Sequence, residues 1–293
     1  MLPDRSGCAQ IVREMKSGGY FDRLMAAGPE LDRVKTYIQA MAERQSWTPG
    51  LPLQYPDYPL FTGLRHIPFR QTADVLGAVM LQEQFKTIRD EWRAMDDLAY
   101  MGYAPLAMRN RWQVHLLHHM GVDLSGWSKQ CPHTLEVISR LPGVCVAYPW
   151  GDALFSVHAG QSHLRPHCSV DNLRVRCHLA LDVPSGCSIR VAQETRNWEN
   201  GKVLLFEDSF EHEVWNHSDR RRGILILDFW HPDLTPPEIE ALTAGFSKAR
   251  VRRLFMEKRL NSIPSAPDGF RAFLEHQITV QDSDPLRQKY WDA

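Results

Sequence analysis

The side chains best suited to chemistry lie between His167 and Trp230. The run His167-Cys168-Ser169-Val170-Asp171-Asn172-Leu173-Arg174-Val175-Arg176-Cys177-His178 is followed by Phe210-Glu211-His212-Glu213-Val214-Trp215 and then by Arg222. Neutral imidazole is a common metal ligand, and the planar fork of arginine holds a carboxylate through two parallel hydrogen bonds. Three histidines and three arginines on or beside short alternating segments suggest an iron-dependent oxygenase site.

These residues must be positioned by strands. Residues 173–181, 202–206, 211–215 and 223–230 are short runs of strand-forming residues bounded by turn formers. In the first run the side chains alternate, which places Arg174, Arg176 and His178 on one face and Leu173, Val175, Cys177 and Leu179 on the other. By the same alternation Glu211 and Glu213 point away from His212. Before residue 100, Leu31, Val34, Tyr37, Ile38 and Met41 recur at helical spacing, as do Leu81, Phe85, Ile88 and Trp92. Pro49, Pro52, Pro56, Pro59 and Pro68 indicate an extended connection between these two helices. His115, His118 and His119 read as part of a further helix. Thr235-Pro236-Pro237-Glu238 matches a capping box with proline at the first helical position, predicting a helix to about Lys248 with another after it. Many short strands flanked by helices fit an α+β fold: a double-sheet jelly roll with helical support.

Composition limits the alternatives. A chain of 293 residues, 43% hydrophobic and 24% charged, can build one large core, and a net charge of -1 gives no bulk attraction to nucleic acid. The amino terminus, Met1-Leu2-Pro3-Asp4-Arg5-Ser6, lacks the apolar core of a secretory signal. No stretch approaches the ~18 apolar residues of a spanning helix, so a soluble, cytoplasmic protein is expected. Six widely spread cysteines without a Cys-x-x-Cys pair predict reduced, mostly buried thiols. Trp198, Trp215 and Trp230 are expected in the core, and Lys248, Arg250, Arg252 and Arg253 on a solvated helix face.

His167, Asn172-x-Arg174-x-Arg176-x-His178, residues 208–215 from Asp208 to Trp215, and Trp230-His231-Pro232-x-Leu234-Thr235 closely resemble the catalytic domain of the aspartyl/asparaginyl β-hydroxylases. The resemblance is clear from about Leu154 to Leu242 and fainter back to Tyr58. It implies a double-stranded β-helix of the cupin type. The expected division is a helical extension at 1–57, a dioxygenase domain at 58–242 with its β core at about 147–234, and a helical extension at 243–293.

The resemblance also implies an Fe(II)-, 2-oxoglutarate- and O2-dependent hydroxylase with His167 and His212 as metal ligands. The more common acid two residues after the first histidine is replaced by Ser169, a departure of the kind this family shares, which leaves two protein ligands. Asp208 would orient a water at the vacant position, or else serve only as a turn former. Arg222, with Ser156, would anchor the far carboxylate of 2-oxoglutarate, while Arg176 and His178 contact its chelating end. Arg174 would face the substrate carboxylate or assist the co-substrate. Arg220 and Arg221 read as solvated, whereas Arg222 enters an apolar strand where an unpaired charge is costly. By family analogy the target is the β-carbon of an aspartyl or asparaginyl group in an acidic small molecule, amino acid or peptide. Two competitors remain: a catalytically silent dicarboxylate sensor and an acyl hydroxylase resembling the lipid A hydroxylases.

Overall fold

The computed structural model describes residues 6–43, 50–95, 100–102, 112–127, 130–261, 263 and 265–282. The charged amino-terminal residues 1–5 and Pro49 of the extended connection lie outside the described residues. Four short strands come first: β1 (Phe69–Arg70), β2 (Met101–Gly102), β3 (Trp112–His119) and β4 (Val122–Asp123). Eight more follow: β5 (Ala153–His158), β6 (Ser162–His167), β7 (Arg174–Asp182), β8 (Cys187–Val191), β9 (Glu194–Asn197), β10 (Val203–Phe206), β11 (His212–Asn216) and β12 (Arg222–Trp230).

Every strand pairing among the described residues is antiparallel. The larger sheet runs β1-β10-β7-β12-β5-β3-β2, with β4 beside β3, and the smaller runs β6-β11-β8-β9. From β5 to β12 the chain steps repeatedly between the two sheets, which is the connectivity of a double-stranded β-helix, or jelly roll. Alternation along β12 explains how it serves two layers. Ile224 and Ile226 meet Leu164, Ile189 and Val214 of the smaller sheet in the space between the sheets. Leu225, Leu227 and Phe229 turn outward onto helices, where they pack with Ala78, Leu81, Ile88 and Ile138.

The four strand segments expected around the site coincide with β7, β10, β11 and β12 to within a residue or two, and the Thr235 capping box caps the helix Pro236–Phe246. The helix expected at 31–41 is Asp32–Glu43, and residues 50–68 form no helix or strand but an irregular connection broken by turns at 52–53 and 62–63, with one bridge between Gln54 and Phe210. The single helix expected over 81–92 is instead two, Leu76–Glu83 and Phe85–Ala94, separated at Gln84.

Three expectations need correction. His115, His118 and His119 are in strand β3, not a helix, because β3 pairs with β5 along most of its length. Both of its faces are covered, so its burial is continuous and the period-two signal is missing. Trp215 is only half-buried: on β11 it points to the outer side of the smaller sheet and stacks on His163. Arg252 is fully buried, donating to the Gly121 carbonyl, while Arg250 and Arg253 are exposed as expected. All six cysteines are free thiols, five buried and Cys168 half-buried.

Candidate active site

His167 ends β6 and His212 begins β11, and the two are direct partners in the ladder, with ring centroids 4.1 Å apart. Each ring is fixed by a hydrogen bond to a backbone carbonyl two residues earlier. His167 Nδ1 donates to Arg165 O at 2.7 Å, and His212 Nδ1 to Phe210 O at 2.9 Å. A carbonyl can only accept, so both protons sit on Nδ1 and both Nε2 lone pairs are left for another partner. Burial holds His167 down at about 4 and His212 well below the usual imidazole range, so both rings are neutral at physiological pH. Two oriented, neutral imidazoles fit a divalent metal ion. Among the described residues no third His, Cys, Asp or Glu completes a metal-binding cluster with them.

Two pockets meet at this pair. The inner one is lined by Ser156, His158, His178, Phe206 and Arg222, and it shares Trp112, His167, Arg176 and His212 with its neighbour. Arg222 is 1% exposed, yet no carboxylate pairs with it among the described residues. One terminal nitrogen donates to Ser156 Oγ at 3.3 Å and the guanidinium lies over the Trp198 ring, but Nε and Nη1 have no hydrogen-bond partner. Burial pushes Arg222 down to about 10. A buried cation with most of its donors unused is costly unless a ligand anion completes it. His178 lies on the same wall, with both ring nitrogens unpartnered and the ring stacked on Trp198. Burial, then the Arg222 charge, lower its pKa well below the usual value.

The outer pocket is lined by Trp150, Asp152, residues 168–170, Arg174, Asp208 and Arg259. Arg174 and Arg176 project into it from β7 and are tied from behind by Asp228 of β12. Arg176 donates from Nε and Nη2 to Asp228 at 2.9 and 2.8 Å, and Arg174 donates at 3.0 Å. Arg174 also contacts Asp171 and Ser169 and is 1% exposed. Asp208 is fully buried, within 3.3 Å of Arg176 and 3.6 Å of Arg174, with no hydrogen bond to either oxygen. Its pKa is raised, by burial first. Arg220 and Arg221 are exposed, as the sequence suggested.

The structure thus brings His167, His212, Ser156, Arg174, Arg176, His178, Asp208 and Arg222 together around one centre. Sequence reasoning missed Trp112, Asp152, His158, Asp228 and Arg259. One signal was available for Asp228, the single charge inside the apolar run Gly223–Trp230. Trp112 and Arg259 reach the site from β3 and from a helix far away in sequence, whereas Asp152 precedes β5 and His158 ends it, close to Ser156.

A sequence model described as aspartyl/asparaginyl beta-hydroxylase matches residues 82–232. Over 169 residues the chain is 38% identical to the human protein named aspartyl/asparaginyl beta-hydroxylase, a match covering 56% of this chain and 22% of that one. It is 28% identical over 219 residues to the ornithine lipid ester-linked acyl 2-hydroxylase of Rhizobium tropici, covering 70% of this chain and 73% of that one. The chain therefore spans less than a quarter of the human relative's length. Among solved structures, a prolyl-4-hydroxylase from Pseudomonas putida is similar at a TM-score of 0.38 and 16% identity, covering 51% of this chain and 86% of that one.

Proposed function

The chain belongs to the aspartyl/asparaginyl beta-hydroxylase family, and from that premise we propose that it is an Fe(II)- and 2-oxoglutarate-dependent dioxygenase. The observation that carries the reading is Arg222: a buried, incompletely paired guanidinium on the wall of a pocket that also holds two metal-ready imidazoles. His167 and His212 would hold the metal through Nε2. Arg222 and Ser156 would take the far carboxylate of 2-oxoglutarate, and Arg176 and His178 would contact its near end. When bound, iron with 2-oxoglutarate and oxygen supplies the oxidising power that converts an unactivated carbon-hydrogen bond into an alcohol, releasing succinate and carbon dioxide.

The protein's own contribution is placement and exclusion. Phe206, Leu164, Val214 and Ile226 give the inner pocket apolar walls that keep water from the co-substrate. Asp228 holds Arg176 rigidly, so the guanidinium can meet a ligand without reorganising. Asp208, on the wall of the outer pocket, would orient a water beside the metal. The outer pocket would then receive the substrate, with Arg174 on its inner wall.

The proposed substrate is an aspartyl or asparaginyl group in a small molecule or peptide, hydroxylated at its β-carbon. The Rhizobium tropici relative supports an acyl chain as a second reading. Against it stands the lining of the outer pocket, where three arginines and two aspartates would lose water to an apolar chain without compensation. No helix among the described residues is long and apolar enough to cross a membrane.

The test is succinate formation by iron-loaded protein supplied with oxygen and 2-oxoglutarate, with and without aspartate, asparagine and short aspartyl peptides. Substrate-stimulated succinate and a product heavier by one oxygen atom are expected. His212→Ala should lose both the metal and turnover while remaining folded, and a variant that still turns over would sink the assignment.

A further inference from the structure

Arg259 lies in the helix Ala249–Leu260, beyond the residues that match the family, yet its side chain lines the outer pocket beside both histidines. One terminal nitrogen donates to the two Asp152 oxygens at 3.0 and 3.2 Å, and the guanidinium lies over the Trp150 ring. Its Nε is buried without a hydrogen-bond partner. The other arginines of this pocket are differently committed: Arg174 is held by Asp171, Asp228 and Ser169, and Arg176 by Asp228.

Asp152 does not depend on Arg259 alone. It also accepts a hydrogen bond from His119 Nδ1 at 2.8 Å and lies 3.7 Å from Arg176. A ligand carboxylate would therefore take Nε–H together with one Nη2–H, sharing Nη2 with Asp152, which keeps His119 and Arg176 as further partners. Because the Nε edge of a guanidinium presents two parallel N–H groups, its natural complement is a carboxylate.

Resting on the dioxygenase reading above, we infer that Arg259 is a specificity residue: it anchors a carboxylate of the substrate, and so this chain selects an acidic amino acid or acidic residue through a helix beyond the residues 82–232 that match the family. Asp152 and Trp150 hold the guanidinium in place. The co-substrate end of the site does not involve this residue, since Arg259 is absent from the inner pocket.

The test is calorimetric titration of the Mn(II)-loaded, 2-oxoglutarate-bound protein under argon, so that binding is read without turnover. The probes are L-aspartate, its diamide, which lacks both carboxylates, and an aspartyl tripeptide. Wild type should bind aspartate or the tripeptide and bind the diamide far more weakly. Arg259→Gln should weaken the acidic probe roughly ten- to a hundredfold, as for loss of a charged hydrogen bond. Arg259→Lys should recover part of that loss, and both variants should keep the wild-type 2-oxoglutarate affinity, even though loss of the Asp152 ion pair lowers the melting temperature of Arg259→Gln. Equal affinity of wild type and Arg259→Gln for the acidic probe overturns the inference, as does diamide binding on a par with aspartate. Failure of wild type to bind either acidic probe does so too. Failure to bind 2-oxoglutarate would instead remove the dioxygenase reading beneath it.

Discussion

Asp228 on β12 sits opposite Arg176 on β7 and accepts both Nε–H and Nη2–H of its guanidinium, at 2.9 and 2.8 Å. The same carboxylate accepts from Arg174 at 3.0 Å and from the Asp152 backbone N–H at 2.9 Å. One buried charge thus sets the position of two arginines and of the residue that leads into β5.

Asp228→Asn keeps the shape and removes the charge. Asp171 and Asp208 would remain near the guanidiniums, but the buried Arg174 and the half-buried Arg176 would lose their shared partner. Breaking a buried pair from one side costs about 3 kcal/mol or more, so the urea midpoint should fall well below that of wild type. An unchanged midpoint would mean that Asp171 and Asp208 already balance both arginines.

Arg222→Met should separate stability from ligand binding. The native guanidinium is buried with unused donors, so a neutral side chain of similar reach should leave the melting temperature of the ligand-free protein unchanged or raise it. The same change should weaken 2-oxoglutarate by on the order of a hundredfold, because the far carboxylate loses its charged partner. Titration with 2-oxoglutarate and a thermal melt on one preparation measure both. A destabilised variant with normal 2-oxoglutarate affinity would assign Arg222 a structural role.

What could be read in the sequence follows from locality. The face shared by Arg174, Arg176 and His178 is a period-two pattern within one strand, and it is present as expected on β7. Thr235 and Glu238 form a cap within four residues and are equally local. His119, Asp152 and Arg259 meet through the pairing of β3 with β5 and the packing of a distant helix, contacts that no local pattern encodes. The strand β3 itself was hidden because cover on both faces erased its alternation. Arg252 was misplaced for a related reason: a basic run signals solvent only when nothing packs over it, and here the residue is fully buried with a hydrogen bond to Gly121.

The buried histidines should make the ligand-free protein unusually sensitive to mild acid. His119, His158 and His178 all have folded-state pKa values below the usual imidazole value, with burial as the leading cause in each. The unfolded chain titrates near 6.5. Below that pH the unfolded state binds protons that the folded state refuses, so stability is full above about 6.5 and falls as pH drops. Each such histidine contributes up to about 1.4 kcal/mol per pH unit in that range. His178 is the clearest case, since neither ring nitrogen has a hydrogen-bond partner to offset protonation. Urea unfolding of metal-free protein at several pH values between 7.5 and 5.5 should show a steep loss of stability below 6.5. In His178→Gln the slope should be shallower by about one proton, because the unfolded chain then has one fewer histidine to protonate. Identical slopes for the two proteins would mean that His178 takes up its proton in the folded state as readily as in the unfolded chain, contrary to its burial between Trp198 and Phe206.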